Sequence, residues 1–288
     1  MKFILPTSFL DPTHFLDMAR AADETGWWAM AMSDHVVHPQ KIASAYPYTP
    51  DGKAYWPSTN PWPDVWVSIG AMAAVTSRLR FFTNVFVLPL RHPIFVAKAV
   101  GTAAVLSHDR VGIGIGVGWM REEFDILGED FSTRGARTNE AIDILRLLWR
   151  GGMAEHHGKH YSFGPLEMSP APAAPIPIYS GGLSEAALKR SAQRCDGWIS
   201  VIHSIEEIRD YSRRLRALRT EAGLPPEPFE IIVACNDAFD VDGYRRLADA
   251  GATALITVPW LFYRGKAGSL SDKVDGIRRF ADDVIAKV

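Results

Sequence analysis

Asp34 and His35 stand side by side in "MSDHVVHP", a carboxylate and an imidazole where an apolar strand pattern gives way to a loop. Such a pair suits proton transfer or hydrogen bonding to a heterocycle, because an imidazole changes charge near neutrality. The plainer reading is a loop histidine satisfied by local backbone. A second stretch, "IYSGGLSEAALKRSA", runs from a strand through Ser180, Gly181 and Gly182 into a helix, with Ser184 at its N-cap and Leu188 and Ala192 on its buried face. Glycine amides that lead into a helix N-terminus form an anion site, although an ordinary strand-to-helix turn uses the same residues.

"RVGIGIGVGWMREEF", residues 110–124, alternates Gly112, Gly114, Gly116 and Gly118 with Val111, Ile113, Ile115 and Val117. A dinucleotide fingerprint fails here in both registers, because Val117 and Trp119 stand where its third glycine is needed. The period of two is that of a strand with one apolar face and one bare face. At Gly112 and Gly114 the bare face makes room for bulky neighbours. Toward Gly118 and Trp119, at the strand's carboxyl end, it offers backbone that a flat ligand can approach. Asn84 interrupts the apolar run "RFFTNVFVLPLRHP" and is read either as a bulge facing a pocket or as a satisfied core amide. The histidines of "EHHGKHYSFG" crowd one turn, and His35 with His38 supplies too few ligands, so no metal site is expected.

Eight short apolar runs could position these residues: "KFILP", "WAMAMSD", "LRFFTNVFVL", "VGIGIGVG", "IPIYSG", "GWISVI", "FEIIVACN" and "TALITVPW". Helical patterns alternate with them. In "NEAIDILRLLWR", Ile142, Leu145, Leu148 and Trp149 share a face, and in the last helix Val274, Ile277, Phe280, Ala281, Val284 and Val288 do the same. Strand and helix in eightfold alternation predict a (β/α)8 TIM barrel, whose functional residues gather at the carboxyl ends of the strands. Two long insertions break the rhythm. Residues 35–63, after strand 2, hold six prolines and several aromatics and read as a pocket wall or lid; residues 151–177, before strand 5, hold five prolines and the histidine-rich turn.

The chain of 288 residues is 47% hydrophobic, with a net charge of -2 and no long run of one sign. It therefore lacks the electrostatic footprint for nucleic acid or an anionic membrane. Pro6 interrupts the first apolar run before it reaches signal-peptide length, and no segment is long and apolar enough to span a bilayer. Cys195 and Cys235 form neither a disulfide framework nor a metal spacing, so reduced thiols in a cytoplasmic protein are expected.

Taken together, "MSDHVVHP", "TSRLRFFTNVFVLPLRHP", "GVGWMREEFDILG", "PIYSGGLSEAALKRSA" and "CDGW" resemble the luciferase-like monooxygenase superfamily in order and spacing. Within it they resemble the branch that uses the deazaflavin coenzyme F(420). The resemblance covers almost the whole chain and implies one barrel domain over residues 1–288, usually a homodimer, with a flavin or deazaflavin at its carboxyl face. It implies that Asp34 and His35 lie beside the ring, His35 helping proton movement during hydride transfer. It also implies a third-strand bulge at Asn84 and Val85, often with a non-prolyl cis peptide, cupping the back of the ring. Val117 and Gly118 would line the ring edge, and Ser180, Gly181 and Gly182 would bind the coenzyme phosphate. Sugar-phosphate dehydrogenases of this branch carry Glu where this sequence has Trp119, with Glu122 and Glu123 shortly after. Trp119, with Tyr48, Trp56 and Trp62 of the long loop, instead points to a pocket for a more apolar or aromatic substrate.

The expectation is an F(420)-dependent oxidoreductase moving hydride to or from a small, largely apolar organic substrate. An FMN-dependent monooxygenase using reduced flavin and oxygen is the alternative on the same barrel. A noncatalytic flavin-binding barrel, with Trp119 filling the substrate's space, is a third. If His35 only packs on the ring, the acid or base falls to Glu122, Glu123 or Tyr48.

Overall fold

The computed structural model describes residues 1–265 and 268–288. Its strands are β1 (Lys2–Pro6), β2 (Ala29–Met32), β3 (Arg80–Thr83), β4 (Phe86–Val87), β5 (Ile113–Gly116), β6 (Met153–His157), β7 (Ser162–Glu167), β8 (Ile178–Gly181), β9 (Gly197–His203), β10 (Glu230–Cys235) and β11 (Ala254–Ile256). Nine of them form one parallel sheet in the order β3-β2-β1-β11-β10-β9-β8-β5-β4. β3 and β4 are the two halves of one interrupted barrel strand. The sheet returns on itself where Phe81 bridges Val111 and β4 pairs with β5. All eight strands expected from the sequence are present.

Parallel strands buried on both faces carry nearly continuous apolar sequence. Alternate residues of each strand face opposite layers. Ile4, Ala29, Ala31, Phe82, Tyr179, Ile199, Ile232 and Ala254 fill the barrel, whereas Phe3, Leu5, Met30, Met32, Ile113 and Ile115 pack outward. The helices they meet are α1 (Phe15–Glu24), α2 (Val65–Ala74), α3 (Pro93–Leu106), α4 (Arg121–Leu127), α5 (Arg134–Trp149), α6 (Glu185–Arg194), α7 (Ile205–Glu221), α8 (Val241–Asp249), α9 (Pro259–Arg264) and α10 (Leu270–Asp283). Ile142, Leu145, Leu148 and Trp149 are buried along α5, as its periodicity requires. Ser184 caps α6 by accepting from the Ala187 amide at 3.2 Å.

The glycine strand is explained by its neighbours. A Cβ on Gly114 would collide with the Thr83 carbonyl, and one on Gly116 would lie 2.6 Å from Val85 Cγ2. Without a side chain at Gly114, the buried Thr83 hydroxyl reaches both its carbonyl (2.7 Å) and its amide (3.1 Å). Gly118 adopts φ +82°, which L side chains rarely take, and a Cβ there would meet Val87 and Phe124. Packing thus accounts for the missing side chains as far as Gly118, beyond the first two glycines at which the sequence was read that way.

The insertion before β8 corrects the sequence reading of a long loop. β6 and β7 pair antiparallel across residues 153–167, with His157 opposite Ser162. Glu140 of α5 holds this hairpin: it accepts from the His160 and Tyr161 amides and lies 3.1 Å from His156 Nε2. Short strands with little apolar alternation escaped detection because their partner is a helix flank, not the barrel.

Candidate active site

The third barrel strand breaks at a cis peptide between Asn84 and Val85, as the family resemblance implied. Local hydrogen bonds hold the bulge. The Asn84 amide donates to the Met32 carbonyl at 2.6 Å, and the Asn84 carbonyl accepts from Ser33 Oγ at 2.8 Å. The bulge directs Val85 onto the apolar filling of the barrel, between two side-chain-free positions: its Cγ2 faces Gly116 and its Cγ1 lies 3.1 Å from the position of a Cβ on Gly181. The mouth of the barrel therefore has an aliphatic floor flanked by bare backbone.

Asp34 and His35 rise at the end of β2 but serve different partners. Asp34 is 6% exposed and takes both arms of Arg91, Nη1 to Oδ2 at 2.5 Å and Nη2 to Oδ1 at 2.8 Å, while Oδ2 also accepts from the Val87 amide at 3.0 Å. A bidentate ion pair of this kind fixes geometry as well as charge. It ties the bulged strand to β2. Arg91 in turn lies over the Phe86 ring, 4.3 Å from its centroid.

His35 turns instead to Glu123, in the first turn of α4. Its Nδ1 is 3.0 Å from Glu123 Oε2, and both side chains are nearly buried. Glu123 Oε1 accepts from the Val36 amide at 2.8 Å. A carboxylate only accepts, so the contact selects the tautomer with its proton on Nδ1, which leaves the Nε2 lone pair free. The sequence reading named Glu123 only as a substitute for His35; the two act on one another. The available signal was an acid in the first turn after the glycine strand, facing across the mouth to the end of β2.

Aromatic rings enclose the imidazole. Trp62, Trp56 and Trp119 have ring centroids 5.0, 5.6 and 6.1 Å from that of His35. Phe9, from the loop after β1 and held at φ +64°, packs on Trp56 and Trp62. From the insertion, Tyr46 and Trp56 meet Trp119 at 5.1 and 6.3 Å; Tyr48 packs on Tyr46 at 5.3 Å and is 47% exposed. Burial pushes the Tyr46 phenol up, so it stays protonated. The Trp62 indole nitrogen is buried with no hydrogen-bond partner among the described residues.

The acids of α4 also anchor the insertion. Glu122 Oε1 accepts from the Ala43 and Ser44 amides at 2.6 and 3.0 Å, and Ser44 Oγ accepts from the Arg121 amide at 3.0 Å. Burial acts to raise the Glu122 pKa, but the amides of Glu122, Ala43 and Ser44 outweigh it and hold the carboxyl below its ordinary range. A cleft of about 490 Å³ lies within the insertion, bordered by His38, Lys53 and Trp56.

On the opposite side of the mouth, Ser180 is buried at the end of β8, and its carbonyl accepts from Ser191 Oγ at 3.2 Å. Gly182 has φ +121°, and its carbonyl accepts from Trp198 Nε1 at 3.0 Å. The turn leads directly into the capped N-terminus of α6. The aliphatic floor that Val85 makes and a glycine turn at a helix start suit a planar ring with a phosphate on its side chain. Elsewhere, burial pushes the Cys195 thiol up to about 12, away from nucleophilic chemistry.

A parallel barrel whose mouth joins a bulged third strand, a histidine after the second and a glycine turn defines a class of oxidoreductase folds. The chain belongs to the luciferase-like monooxygenase family, which it matches over residues 5–267. It is 39% identical over 291 residues to an uncharacterized protein of Mycobacterium tuberculosis, covering 100% of both chains. It is 27% identical over 279 residues to the F(420)-dependent glucose-6-phosphate dehydrogenase of Nakamurella multipartita, 95% of this chain and 76% of that protein. An F(420)-dependent secondary alcohol dehydrogenase, solved in complex with an F(420)-acetone adduct, shares the fold with a TM-score of 0.78 at 17% identity over 100% of both chains. The oxygenating constituent of a Baeyer-Villiger monooxygenase of Pseudomonas putida, solved with FMN, has a TM-score of 0.65 at 19% identity, covering 81% of this chain and 66% of that one.

Proposed function

We propose that this protein is an F(420)-dependent oxidoreductase acting between a carbonyl and an alcohol on a small, largely apolar organic molecule. The observation that carries the reading is the His35–Glu123 pair, 3.0 Å apart at a mouth walled by tryptophans. The bound deazaflavin would supply or take the hydride. Val85, Asn84, Val117 and Gly118 would hold its ring, and the turn of Ser180, Gly181 and Gly182 its phosphate. His35 would move the matching proton at Nε2: the neutral ring takes it from a substrate hydroxyl, and the imidazolium returns it to a substrate carbonyl oxygen. Glu123 stabilises that imidazolium and keeps Nδ1 protonated throughout.

Trp119, Trp56 and Trp62 would exclude water and favour an apolar substrate body. The buried Trp62 N–H lacks an acceptor among the described residues, and buried donors are nearly always satisfied, so a substrate oxygen would complete it. The Nakamurella relative and the alcohol dehydrogenase neighbour support the cofactor assignment. The FMN-bound neighbour keeps a flavin monooxygenase as the second reading.

The reading includes a cytoplasmic homodimer joined through α2 and α3. These adjacent helices carry one charged residue, Lys98, yet leave Val67, Phe95 and Leu106 more than two-thirds exposed. Helices that are apolar all round are normally covered.

Parallel equilibrium titrations with F(420) and FMN test the cofactor. Tighter F(420) binding is expected. Stronger FMN binding with oxygen-dependent turnover would put the monooxygenase first, and binding without any turnover would favour a carrier.

A further inference from the structure

Phe131, just before α5, carries two guanidiniums against its ring: Arg134 at 3.7 Å and Arg121 at 4.7 Å from its centroid. Arg134 spends Nε on the Gly118 carbonyl (3.2 Å) and Nη1 on the Phe131 carbonyl (2.8 Å), which sets it at the end of the glycine strand. Its Nη2 makes no hydrogen bond, and the exposed Arg121 guanidinium makes none at all among the described residues. Neither has a carboxylate partner among the described residues, whereas Arg137, one turn further along α5, pairs with Glu129.

That arrangement is unfavourable on its own. Arg134 is the first residue of α5, where the helix dipole disfavours a cation, and the N-cap Thr133 makes no side-chain capping bond. Burial and the like charge of Arg121 both lower the Arg134 pKa, with no acid opposing them. Both guanidiniums pack on the one Phe131 ring and keep free donors, and the planar guanidinium fork is the group that recognises carboxylate or phosphate.

We propose that Arg121 and Arg134 form an anion subsite at the rim of the barrel mouth, taking a carboxylate or phosphate group of a molecule bound there. The source is either the acidic chain that F(420) carries beyond its phosphate or a carboxylate on the substrate. Assigning it to the cofactor rests on the function proposed above; the subsite itself does not.

The test follows the Nε–H nuclear magnetic resonance signals of both arginines in the whole protein, titrated with inorganic phosphate and with succinate. Saturable shifts are expected in wild type, and they should be lost in Arg121→Gln, a variant that removes no hydrogen bond. Prior saturation with F(420) should abolish the shifts if the cofactor is the source. Arg121→Gln should then weaken F(420) by about tenfold, the worth of one charge-assisted hydrogen bond, while the riboside fragment lacking phosphate and chain binds within about twofold of wild type. Succinate shifts that persist with F(420) bound assign the subsite to the substrate. Absence of saturable shifts in wild type, or the same shifts in Arg121→Gln, overturns the proposal. Failure of both F(420) and its riboside to bind would instead count against the proposed function, with the anion titration still deciding the subsite.

Discussion

Glu123 Oε2 lies 3.0 Å from His35 Nδ1 while its Oε1 accepts from the Val36 amide at 2.8 Å, so one buried carboxylate orients the imidazole and anchors the chain beside it. Glu123→Gln keeps an acceptor for Val36 but can turn an amide donor toward Nδ1, which favours the wrong tautomer. Turnover should fall within about the 10²- to 10⁴-fold range that a positioned acid-base group supplies, with cofactor affinity nearly unchanged. His35→Ala should fall in the same range. Steady-state kinetics beside cofactor titration checks both; loss of affinity with full turnover would make His35 a packing residue.

Asp34 and Arg91 are expected to act as a structural clamp. Arg91→Met leaves the buried carboxylate with the Val87 amide alone, and breaking such a pair should cost about 3 kcal/mol, the low end of the usual range because Arg91 keeps a quarter of its side chain in solvent. Asp34→Asn with Arg91→Met should recover part of that loss. Urea unfolding of the single and double variants measures both; a cost under about 1 kcal/mol for Arg91→Met would place the pair among ordinary surface contacts.

The Glu122 clamp predicts an acid-sensitive insertion. Its folded pKa lies below the ordinary 4.5, so the ionised carboxylate contributes stability above the unfolded value and loses it as pH falls through the folded one. Protection of the Ala43 and Ser44 amides, measured against their intrinsic exchange rates, should be high near neutrality and fall only once pH passes below that ordinary value. In Glu122→Ala it should be low across the whole range. Equal protection in wild type and variant at pH 7 would remove the clamp from the account.

The apolar faces of α2 and α3 predict that wild type will sediment as a dimer and that Phe95→Glu will yield a folded monomer. Sedimentation velocity at several concentrations decides it, and a wild-type monomer at high concentration would contradict the assembly.

Much of the barrel was legible because strand and helix periods differ and each strand's apolar run is short and bounded. Asp34 and His35 were locatable because they interrupt a pattern at a strand end; Asn84 stood out within an apolar run, and its bulge with Val85 was implied by the family resemblance. Pairing across the mouth was not. Nothing in the local sequence says that Asp34 turns to Arg91 and His35 to Glu123, 57 and 88 residues away, because those choices follow from how β2, the bulge and α4 meet. Tyr46 displaced Tyr48 at Trp119 for a similar reason, since the fold of an irregular insertion has no period to read. The β6–β7 hairpin was hidden because its residues are mostly exposed and carry little hydrophobic alternation.

At the centre of the site, Glu123 is expected to fix the proton of His35 on Nδ1. Long-range proton–nitrogen correlation spectra of the protein with labelled histidine read that tautomer without any substrate. The predicted result is a neutral His35 protonated at Nδ1 with a lone pair on Nε2, reversed or mixed in Glu123→Gln. A wild-type His35 protonated at Nε2, unchanged by Glu123→Gln, would contradict it.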